Sequence, residues 1–307
     1  MPRLPRPRPG FPYFAGSPLL IAHRGGARLG PENTMAAFRQ AVGEWGADML
    51  EMDVRATSDG RIVVIHDDTV DRTCDGAGRV EDLSWDALRE LDAGHHFRDL
   101  SGECSFRGRG VNVPLLDEVL ETFPHVRINV EAKAPSAAPG LVRVIRRHAA
   151  EHRVLMAATE EEARGSRHGY PGPTSASRRQ IRTFLVLHRL PLAALYTPRT
   201  DALQVPEVWQ GTRVVSPRFV RAAHARNIPV HVWTVDDRES MHRLLDWGVD
   251  GIQTDRPDVL SAVLSEVTGR PSPPAAAAGP RAPRARMPGP GAGSPPPDGR
   301  AAPGRSE

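Results

Sequence analysis

The chain has 307 residues, of which 39% are hydrophobic, and this length suits either one α/β barrel of about 250 residues or two smaller domains. The net charge is +3, but residues 1–10 carry +3 and residues 268–307 carry +4, which leaves −4 for the remainder. A mildly acidic remainder argues against a nucleic-acid partner, because proteins that bind nucleic acids present a basic face.

Neither a membrane span nor a disulfide framework is predicted. No stretch approaches roughly 18 consecutive apolar residues, the length that crosses a bilayer. Cys74 and Cys104 are too few for a disulfide framework and lack the spacing of a zinc site. Two isolated cysteines suit a reducing compartment, so a cytoplasmic location is expected.

Both ends of the chain have the composition of disordered segments. Residues 1–16 begin with a Pro/Arg-rich run, and residues 268–307 are rich in Pro, Ala, Gly and Arg, with almost no large apolar side chains. Such segments cannot bury enough apolar surface to offset the entropy lost on ordering. We therefore predict a disordered arm over 1–16, a folded domain over 17–267 and a disordered tail over 268–307.

Eight short apolar runs within the folded part are predicted strands. They are Leu19–Ala22, Ala47–Val54, Ile62–Ile65, Arg127–Val130, Val154–Ala157, Ala202–Val205, Val230–Val235 and Gly251–Thr254. Thr183–Leu187 is as apolar as Ala202–Val205, but it merges with Leu190–Leu195, and that pair could equally be helical.

Segments with helical spacing separate these strands. They are Thr34–Val42, Ser84–Leu91, Leu115–Thr122, Leu141–Ala150, Pro217–Ala225 and Ser240–Trp247. Asn33 or Thr34 can cap the first helix and Ser84 the second. Asn227 and Gly248 can adopt the left-handed conformation that ends a helix.

Alternating strands and helices predict parallel strands joined by crossover helices. The sheet could close into a (β/α)8 TIM barrel or stay open as a doubly wound sheet. Reactive polar residues at the ends of at least five strands favour the barrel, whose active site is built in that way. A small insertion, about 68–114, follows the third strand, and residues 165–179 are predicted to form an irregular loop.

Carboxylates cluster at two of these strand ends. Glu51 and Asp53 are two residues apart, so both point to one side of their strand. Glu131 and Lys133 share a face of the fourth strand in the same way. Either pair alone is explained by an ordinary ion pair. Three carboxylates without softer ligands suit Mg²⁺ or Ca²⁺ better than zinc.

Histidines and further cations stand at neighbouring strand ends. His23 and Arg24 follow the first strand, and His66 follows the third. A lone histidine in such a place is more often a hydrogen-bonded core residue. However, a divalent cation held by the three carboxylates and flanked by Arg24 and Lys133 is a receptacle for phosphate. Two histidines flanking that phosphate can act as general base and general acid.

These residues resemble the motifs of the bacterial glycerophosphodiester phosphodiesterase family, over roughly residues 19–260. The matching pieces are His23-Arg24-Gly25, Pro31-Glu32-Asn33-Thr34, Gly46-Ala47-Asp48 with Glu51-x-Asp53, Asp59-Gly60, Val64-Ile65-His66-Asp67, Arg72-Thr73, Glu131-Ala132-Lys133, His231-Val232-Trp233-Thr234-Val235 and Asp250-Gly251-Ile252-Gln253-Thr254-Asp255-Arg256-Pro257. The resemblance implies a TIM barrel that hydrolyses a small-molecule glycerophosphodiester to sn-glycerol 3-phosphate and an alcohol.

The resemblance also implies roles for residues of this chain. His23 and His66 would be the acid/base pair. Arg24 and Lys133 would hold the phosphate, and Trp233 would pack against the glycerol or alcohol part of the substrate. The resemblance implies a divalent cation, Mg²⁺ or Ca²⁺. It would be bound by Glu51, Asp53 and Glu131, with Glu32 close enough to assist. Attack by water and attack by the glycerol hydroxyl, through a cyclic phosphate, both remain open.

Two alternatives use the same fold. A lysophospholipid-directed phosphodiesterase needs an apolar groove, whereas the loops 98–110 and 165–182 are polar and basic. A non-catalytic barrel that binds phosphorylated ligands would be expected to lack an acid/base or metal residue, and none is missing here. The fifth strand, Val154–Thr159, lacks the Ser-Phe pair that the family often carries. The sequence makes no prediction about the oligomeric state.

Overall fold

The computed structural model describes residues 10–157, 169–190, 192–197 and 199–273. Its strands in chain order are β1 (Leu19–Ala22), β2 (Met49–Ala56), β3 (Ile62–Val64), β4 (Arg127–Ala132), β5 (Val154–Ala157), β6 (Leu203–Pro206), β7 (Val208–Trp209), β8 (Thr212–Arg213), β9 (Val230–Trp233) and β10 (Gly251–Thr254). Its α-helices are α1 (Met35–Gly43), α2 (Trp85–Leu88), α3 (Leu116–Thr122), α4 (Ala137–Arg147), α5 (Arg178–Arg189), α6 (Pro217–His224), α7 (Arg238–Asp246) and α8 (Pro257–Thr268).

Seven parallel strands form one curled sheet in the order β5-β4-β2-β1-β10-β9-β6. Thr174 bridges in parallel to Met156 of β5, and Ser175 bridges in parallel to Ala202, next to β6. This two-residue segment occupies the position of the eighth barrel strand and joins the two edges of the sheet. The predicted (β/α)8 TIM barrel is therefore confirmed.

The sequence analysis wrongly placed one strand in the barrel and missed another. The predicted third strand, Ile62–Ile65, exists as β3, but it pairs antiparallel with β2 outside the barrel order. Thr57 N donates to Arg61 O across the connecting turn at 3.0 Å, and a turn this short reverses the chain, whereas a parallel partner needs a long crossover. The barrel strand that the sequence analysis missed is formed by Thr174 and Ser175. They lie in the predicted irregular loop 165–179, and two polar residues give no apolar run.

Most helices start and end where the sequence predicts. Thr34 caps α1 by accepting from Ala37 N, and Ser84 caps α2 by accepting from Ala87 N. Asn227 and Gly248, with φ of 56° and 83°, take the left-handed conformation after α6 and α7. The ambiguous stretch around residues 183–187 is helical, within α5.

The amino-terminal end of the barrel is covered by residues of the segment predicted to be a disordered arm. Pro12–Phe14 form a 3-10 turn, and Tyr13 is buried beneath the barrel. Its hydroxyl lies 3.2 Å from Met49 Sδ and donates to Ile128 O at 2.9 Å. The expectation of disorder therefore does not hold for residues 10–16, because the three aromatic residues there, Phe11, Tyr13 and Phe14, pack in an apolar cluster. Residues 1–9 lie outside the described residues.

The insertion after β3 has a small core of its own, which includes Val63 of β3, whereas Ile62 and Val64 belong to the main core. Its buried apolar residues are Val63, Ile65, Val70, Cys74, Val80, Leu88, Ala93, Val113 and Leu115. Because β3 belongs to both the sheet and this core, the insertion is attached to the barrel beside β2.

The barrel ends with α8, which buries Leu260, Val263 and Leu264. Beyond it, the guanidinium of Arg270 lies 2.9 Å from a carboxylate oxygen of Asp48, so the first residues of the predicted tail contact the barrel. Residues 274–307 lie outside the described residues. Across the described ranges, no helix combines the length and the apolar character needed to span a bilayer.

Candidate active site

The predicted site residues lie at or just beyond the carboxyl ends of strands, on one rim of the barrel. Parallel strands of a closed sheet bring these ends together. His23 and Arg24 lie in the 3-10 turn that follows β1. Glu51 and Asp53 are the third and fifth residues of β2, and Glu131 is the fifth residue of β4.

His23 is fixed by two carboxylates. Its Nδ1 lies 2.6 Å from Asp255 Oδ1, and its Nε2 lies 3.9 Å from Glu51 Oε2. With Nδ1 bound to Asp255, the Nε2 atom is the one that faces the site. Burial opposes protonation of the imidazole, but Glu51 and Asp255 outweigh it, and the pKa of His23 is raised.

Arg24 binds three carboxylates through its backbone and its side chain. The residue has a φ of 50°, and its N–H donates to Glu51 Oε2 at 2.9 Å. Its guanidinium donates to Glu32 at 2.9 Å and lies 3.2 Å from Asp53. A left-handed φ is uncommon for a residue with a side chain, and here it places the amide and the guanidinium on the same acidic cluster.

Asp53 and Glu131 face each other across neighbouring strands. They are register partners on β2 and β4, and Lys133 Nζ lies 2.9 Å from Asp53 and 2.7 Å from Glu131. Burial opposes the charge of each group, but the attraction raises the pKa of Lys133 and lowers the pKa of Asp53.

Glu51 behaves differently from Asp53, although both are buried. Burial and the nearby charge of Asp53 raise the pKa of Glu51 to about 7, against the opposing influence of His23. Two carboxylates confined in one buried space repel each other, so the less well paired one holds its proton more tightly. The cluster therefore has an excess of negative charge that a cation would relieve.

His66 is oriented from the insertion side. Its Nδ1 lies 2.6 Å from Asp67 Oδ1, and Arg72 Nε donates to the other oxygen of Asp67 at 2.5 Å. This hydrogen bond from Arg72 lowers the pKa of Asp67 to about 2. Arg72 also grips Glu32 with two hydrogen bonds of 2.7 and 2.8 Å.

Glu32 therefore links the two histidines. It accepts from Arg24, which contacts Glu51 beside His23, and from Arg72, which reaches His66 through Asp67. A continuous polar network thus joins eight of the nine predicted residues, and they are His23, Arg24, Glu32, Glu51, Asp53, His66, Glu131 and Lys133.

The ninth predicted residue, Trp233, lies at the end of β9 and is partly buried. β9 pairs with β10. Asp255, the partner of His23, is the residue that follows β10. Trp233 is thus on the same rim as His23, with β10 between their two strands.

The predicted metal-binding carboxylates lie next to one another but do not form a preassembled coordination site. In the part of the chain that the structure describes, no three His, Cys, Asp or Glu side chains are arranged to hold a metal ion. Lys133 lies between Asp53 and Glu131, and Arg24 lies beside Asp53. The donor set nevertheless fits a hard divalent cation, because its ligand atoms are carboxylate oxygens with excess charge at Glu51.

The sequence analysis did not predict four residues of this network as site residues, namely Asn33, Asp67, Arg72 and Asp255. Asn33 holds Asp53 in place, since its side chain donates to Asp53 Oδ2 at 3.1 Å and accepts from Asp53 N at 3.2 Å. All four stand in the quoted motifs, and Asp67 is next to His66 in sequence. The pairing of Asp255 with His23 could be recognised only from the closure of β10 against β1.

Comparisons with known proteins agree on one family. The sequence model of the "Glycerophosphoryl diester phosphodiesterase family" matches residues 23–259. A "Probable glycerophosphodiester phosphodiesterase 2" of Mycobacterium tuberculosis is 36% identical over 257 residues, which are 81% of this chain and 91% of that protein.

Solved structures give the same fold. The glycerophosphoryl diester phosphodiesterase domain of an uncharacterized protein from Mycobacterium tuberculosis superposes with a TM-score of 0.73 at 21% identity, covering 81% of this chain and 99% of that chain. An Oleispira antarctica phosphodiesterase in complex with the product sn-glycerol-3-phosphate has a TM-score of 0.66 at 23% identity, covering 82% of this chain and 99% of that chain.

Proposed function

The chain belongs to the glycerophosphoryl diester phosphodiesterase family and is a phosphodiesterase, and we propose that it hydrolyses glycerophosphodiesters with a divalent cation and two acid/base histidines. The products would be sn-glycerol 3-phosphate and an alcohol. The observation that carries this proposal is the polar network in which His23 and His66, each held by a carboxylate at 2.6 Å, flank one acidic cluster.

Each imidazole is prepared for proton transfer at Nε2. Because Asp255 binds Nδ1 of His23 and Asp67 binds Nδ1 of His66, both Nε2 atoms remain for the substrate. One Nε2 would accept the proton of the attacking hydroxyl, and the other would donate a proton to the departing alcohol oxygen. The attacking group is either water or the glycerol hydroxyl of the substrate.

Arg24 and Lys133 would bind the non-bridging phosphate oxygens. Both are cations attached to the acidic cluster, and both are mostly buried. Their charged N–H groups favour an oxyanion in a site shielded from water. Trp233, on the same rim, would cover the glycerol or alcohol part of the substrate.

Glu51, Asp53 and Glu131 would hold the cation, with Glu32 assisting. Their oxygen ligands favour Mg²⁺ or Ca²⁺. When bound, such an ion supplies positive charge to the phosphate and polarises its oxygens. Lys133 and Arg24 neutralise these carboxylates in the structure, and from the same positions they would contact the phosphate.

A metal-dependence assay with glycerophosphocholine tests the proposal. We expect chelator-treated protein to release little sn-glycerol 3-phosphate, and added Mg²⁺ or Ca²⁺ to restore the rate. Lysophosphatidylcholine, assayed in parallel, tests the lipid-directed alternative. Full activity in excess chelator would contradict the role of the cation, and hydrolysis of neither substrate would contradict the proposed reaction.

A further inference from the structure

One surface of the barrel exposes large apolar side chains, and the site described above uses none of them. Among the residues that the structure describes, eight large apolar side chains are exposed, and six of them lie between residues 186 and 209. These six are Val186, Leu190, Leu192, Leu195, Val208 and Trp209. We call them the 186–209 apolar surface.

The 186–209 apolar surface combines the end of α5 with the β7–β8 hairpin. Val186 and Leu190 are four residues apart, so they share a helix face. Leu192 N donates back to Leu187 O at 2.7 Å, and a 3-10 turn over Ala193–Leu195 continues from there. The guanidinium of Arg189 donates to Arg213 O at 3.3 Å, which places the hairpin beside the helix end.

The sequence that leads into this surface is basic, although Asp201 and Glu207 lie within residues 186–209. Residues 163–200 contain seven arginines and no aspartate or glutamate, although the chain between its two terminal segments has a net negative charge. Five of these arginines lie in the described residues and are exposed, namely Arg178, Arg179, Arg182, Arg189 and Arg199. The outward face of α5 therefore passes from arginines at its start to apolar side chains at its end.

From this charge complementarity we propose that the 186–209 apolar surface docks on an anionic lipid bilayer. Leucines and a tryptophan enter the boundary between head groups and acyl chains, while arginines contact lipid phosphates. An uncharged apolar protein partner would fit the apolar residues without explaining the excess of arginine. A nucleic acid would fit the arginines without explaining the exposed leucines.

Docking would bring the barrel rim close to the lipid. Pro206, the last residue of β6, is the register partner of Trp233, and the hairpin starts two residues later. The proposal concerns attachment and not hydrolysis, so it can fail while the proposed reaction stands.

Vesicle co-sedimentation of the full chain tests this docking surface. Phosphatidylcholine vesicles are compared with an equimolar mixture of phosphatidylcholine and phosphatidylglycerol, at low and high salt. We expect binding to the mixed vesicles, weakened by salt. Two double variants, Arg179→Glu with Arg182→Glu and Leu190→Ser with Leu192→Ser, should each weaken binding by about tenfold or more.

Matched controls separate this surface from other parts of the chain. Arg281→Glu with Arg284→Glu makes the same charge change in the C-terminal segment, and Leu100→Ser removes an exposed leucine from the insertion. Both controls should bind like the unchanged protein, and circular dichroism checks that every variant is folded.

Three outcomes would overturn the docking proposal. The first is no binding to the anionic vesicles at low salt. The second is loss of binding in the C-terminal control while both surface variants bind normally. The third is a dimer in sedimentation velocity that the leucine variant dissociates, which would make a second copy of the chain the occupant.

Discussion

At the scale of single residues, identical chemical groups behave differently because their neighbours differ. Burial acts on both Glu51 and Asp53, yet the pKa of Glu51 rises to about 7 while that of Asp53 falls. Asp53 has Lys133 and Arg24 within 3.2 Å, whereas Glu51 accepts the backbone N–H of Arg24 and faces His23 at 3.9 Å. The pKa of each buried carboxylate therefore depends on which charged groups contact it.

Asp255 is predicted to position His23 and to set its pKa. In Asp255→Asn the loss of the carboxylate should lower the pKa of His23, so the limb of the pH–rate profile that reports His23 moves to lower pH. Turnover should fall at least about tenfold. Asp258→Asn, which removes the nearby partner of Arg256 at 2.7 Å, is the control. An unchanged profile in Asp255→Asn would remove Asp255 from the account.

Residue types and spacing were sufficient to predict most of the network. His23, Arg24, Glu51, Asp53, Glu131 and Lys133 all stand at strand ends that an apolar run identifies. The partners Asp255 and Arg72 were not assigned, because their contacts depend on chain segments 232 and 40 residues away, respectively. Contacts of this range follow from barrel closure and from the path of the insertion.

At the scale of elements, the turn after β1 sets the geometry of the site. Gly25 has a φ of 84°, and a Cβ there would lie 2.8 Å from Phe38 and 2.9 Å from Ala37 of α1. Gly60 has a similar φ of 74° with nothing within 4 Å of such a Cβ. The turn that carries His23 and Arg24 is thus packed directly against α1.

Gly25→Ala should destabilise the fold more than Gly60→Ala. Both variants incur the strain of a left-handed alanine, but only Gly25→Ala adds a clash in a packed core. We expect an additional loss of about 1–3 kcal/mol in the free energy of unfolding, measured by urea denaturation. Equal losses in the two variants would show that α1 yields to the extra methyl group.

Strand direction was the main error at this scale. β3 was predicted from its apolar run, which is the same in parallel and antiparallel strands. Its direction is set by the short turn over residues 57–61, and Thr174 and Ser175 complete the barrel through two bridges without any apolar signal. Apolar runs reveal where strands are, whereas turn length and closure decide how they pair.

At the scale of the whole molecule, the barrel encloses a histidine that is not part of the site. His231 is completely buried, and Gln204 and Gly251 are its register partners. Burial lowers the pKa of His231 to about 4, against a weak opposing effect of Asp250. An ordinary histidine titrates near 6.5, so folding excludes a proton from this residue.

The contribution of His231 to the stability of the fold should therefore fall at mildly acidic pH, opposite in sign to that of Glu51, whose raised pKa favours the folded chain on acidification. Between about pH 6.5 and 4 the unfolded chain binds a proton at His231 that the folded chain does not, so acidification favours unfolding. This residue accounts for a loss of up to about 3 kcal/mol. In His231→Gln that loss should disappear from the pH dependence of urea unfolding, whereas His152→Gln, at an exposed position, should behave like the unchanged protein. An identical pH dependence in His231→Gln would contradict the inferred pKa.

The central claim, that His23 and His66 transfer protons on opposite sides of one phosphodiester, is tested most directly by the turnover of His23→Ala and His66→Ala in the presence of divalent cation. With glycerophosphocholine we expect each variant to lose at least about a hundredfold in kcat while remaining folded. With a p-nitrophenyl phosphodiester, whose leaving group needs no proton, the variant that lacks the general acid should recover most of its rate, and the other should not. Unimpaired turnover of both variants with glycerophosphocholine would contradict the account.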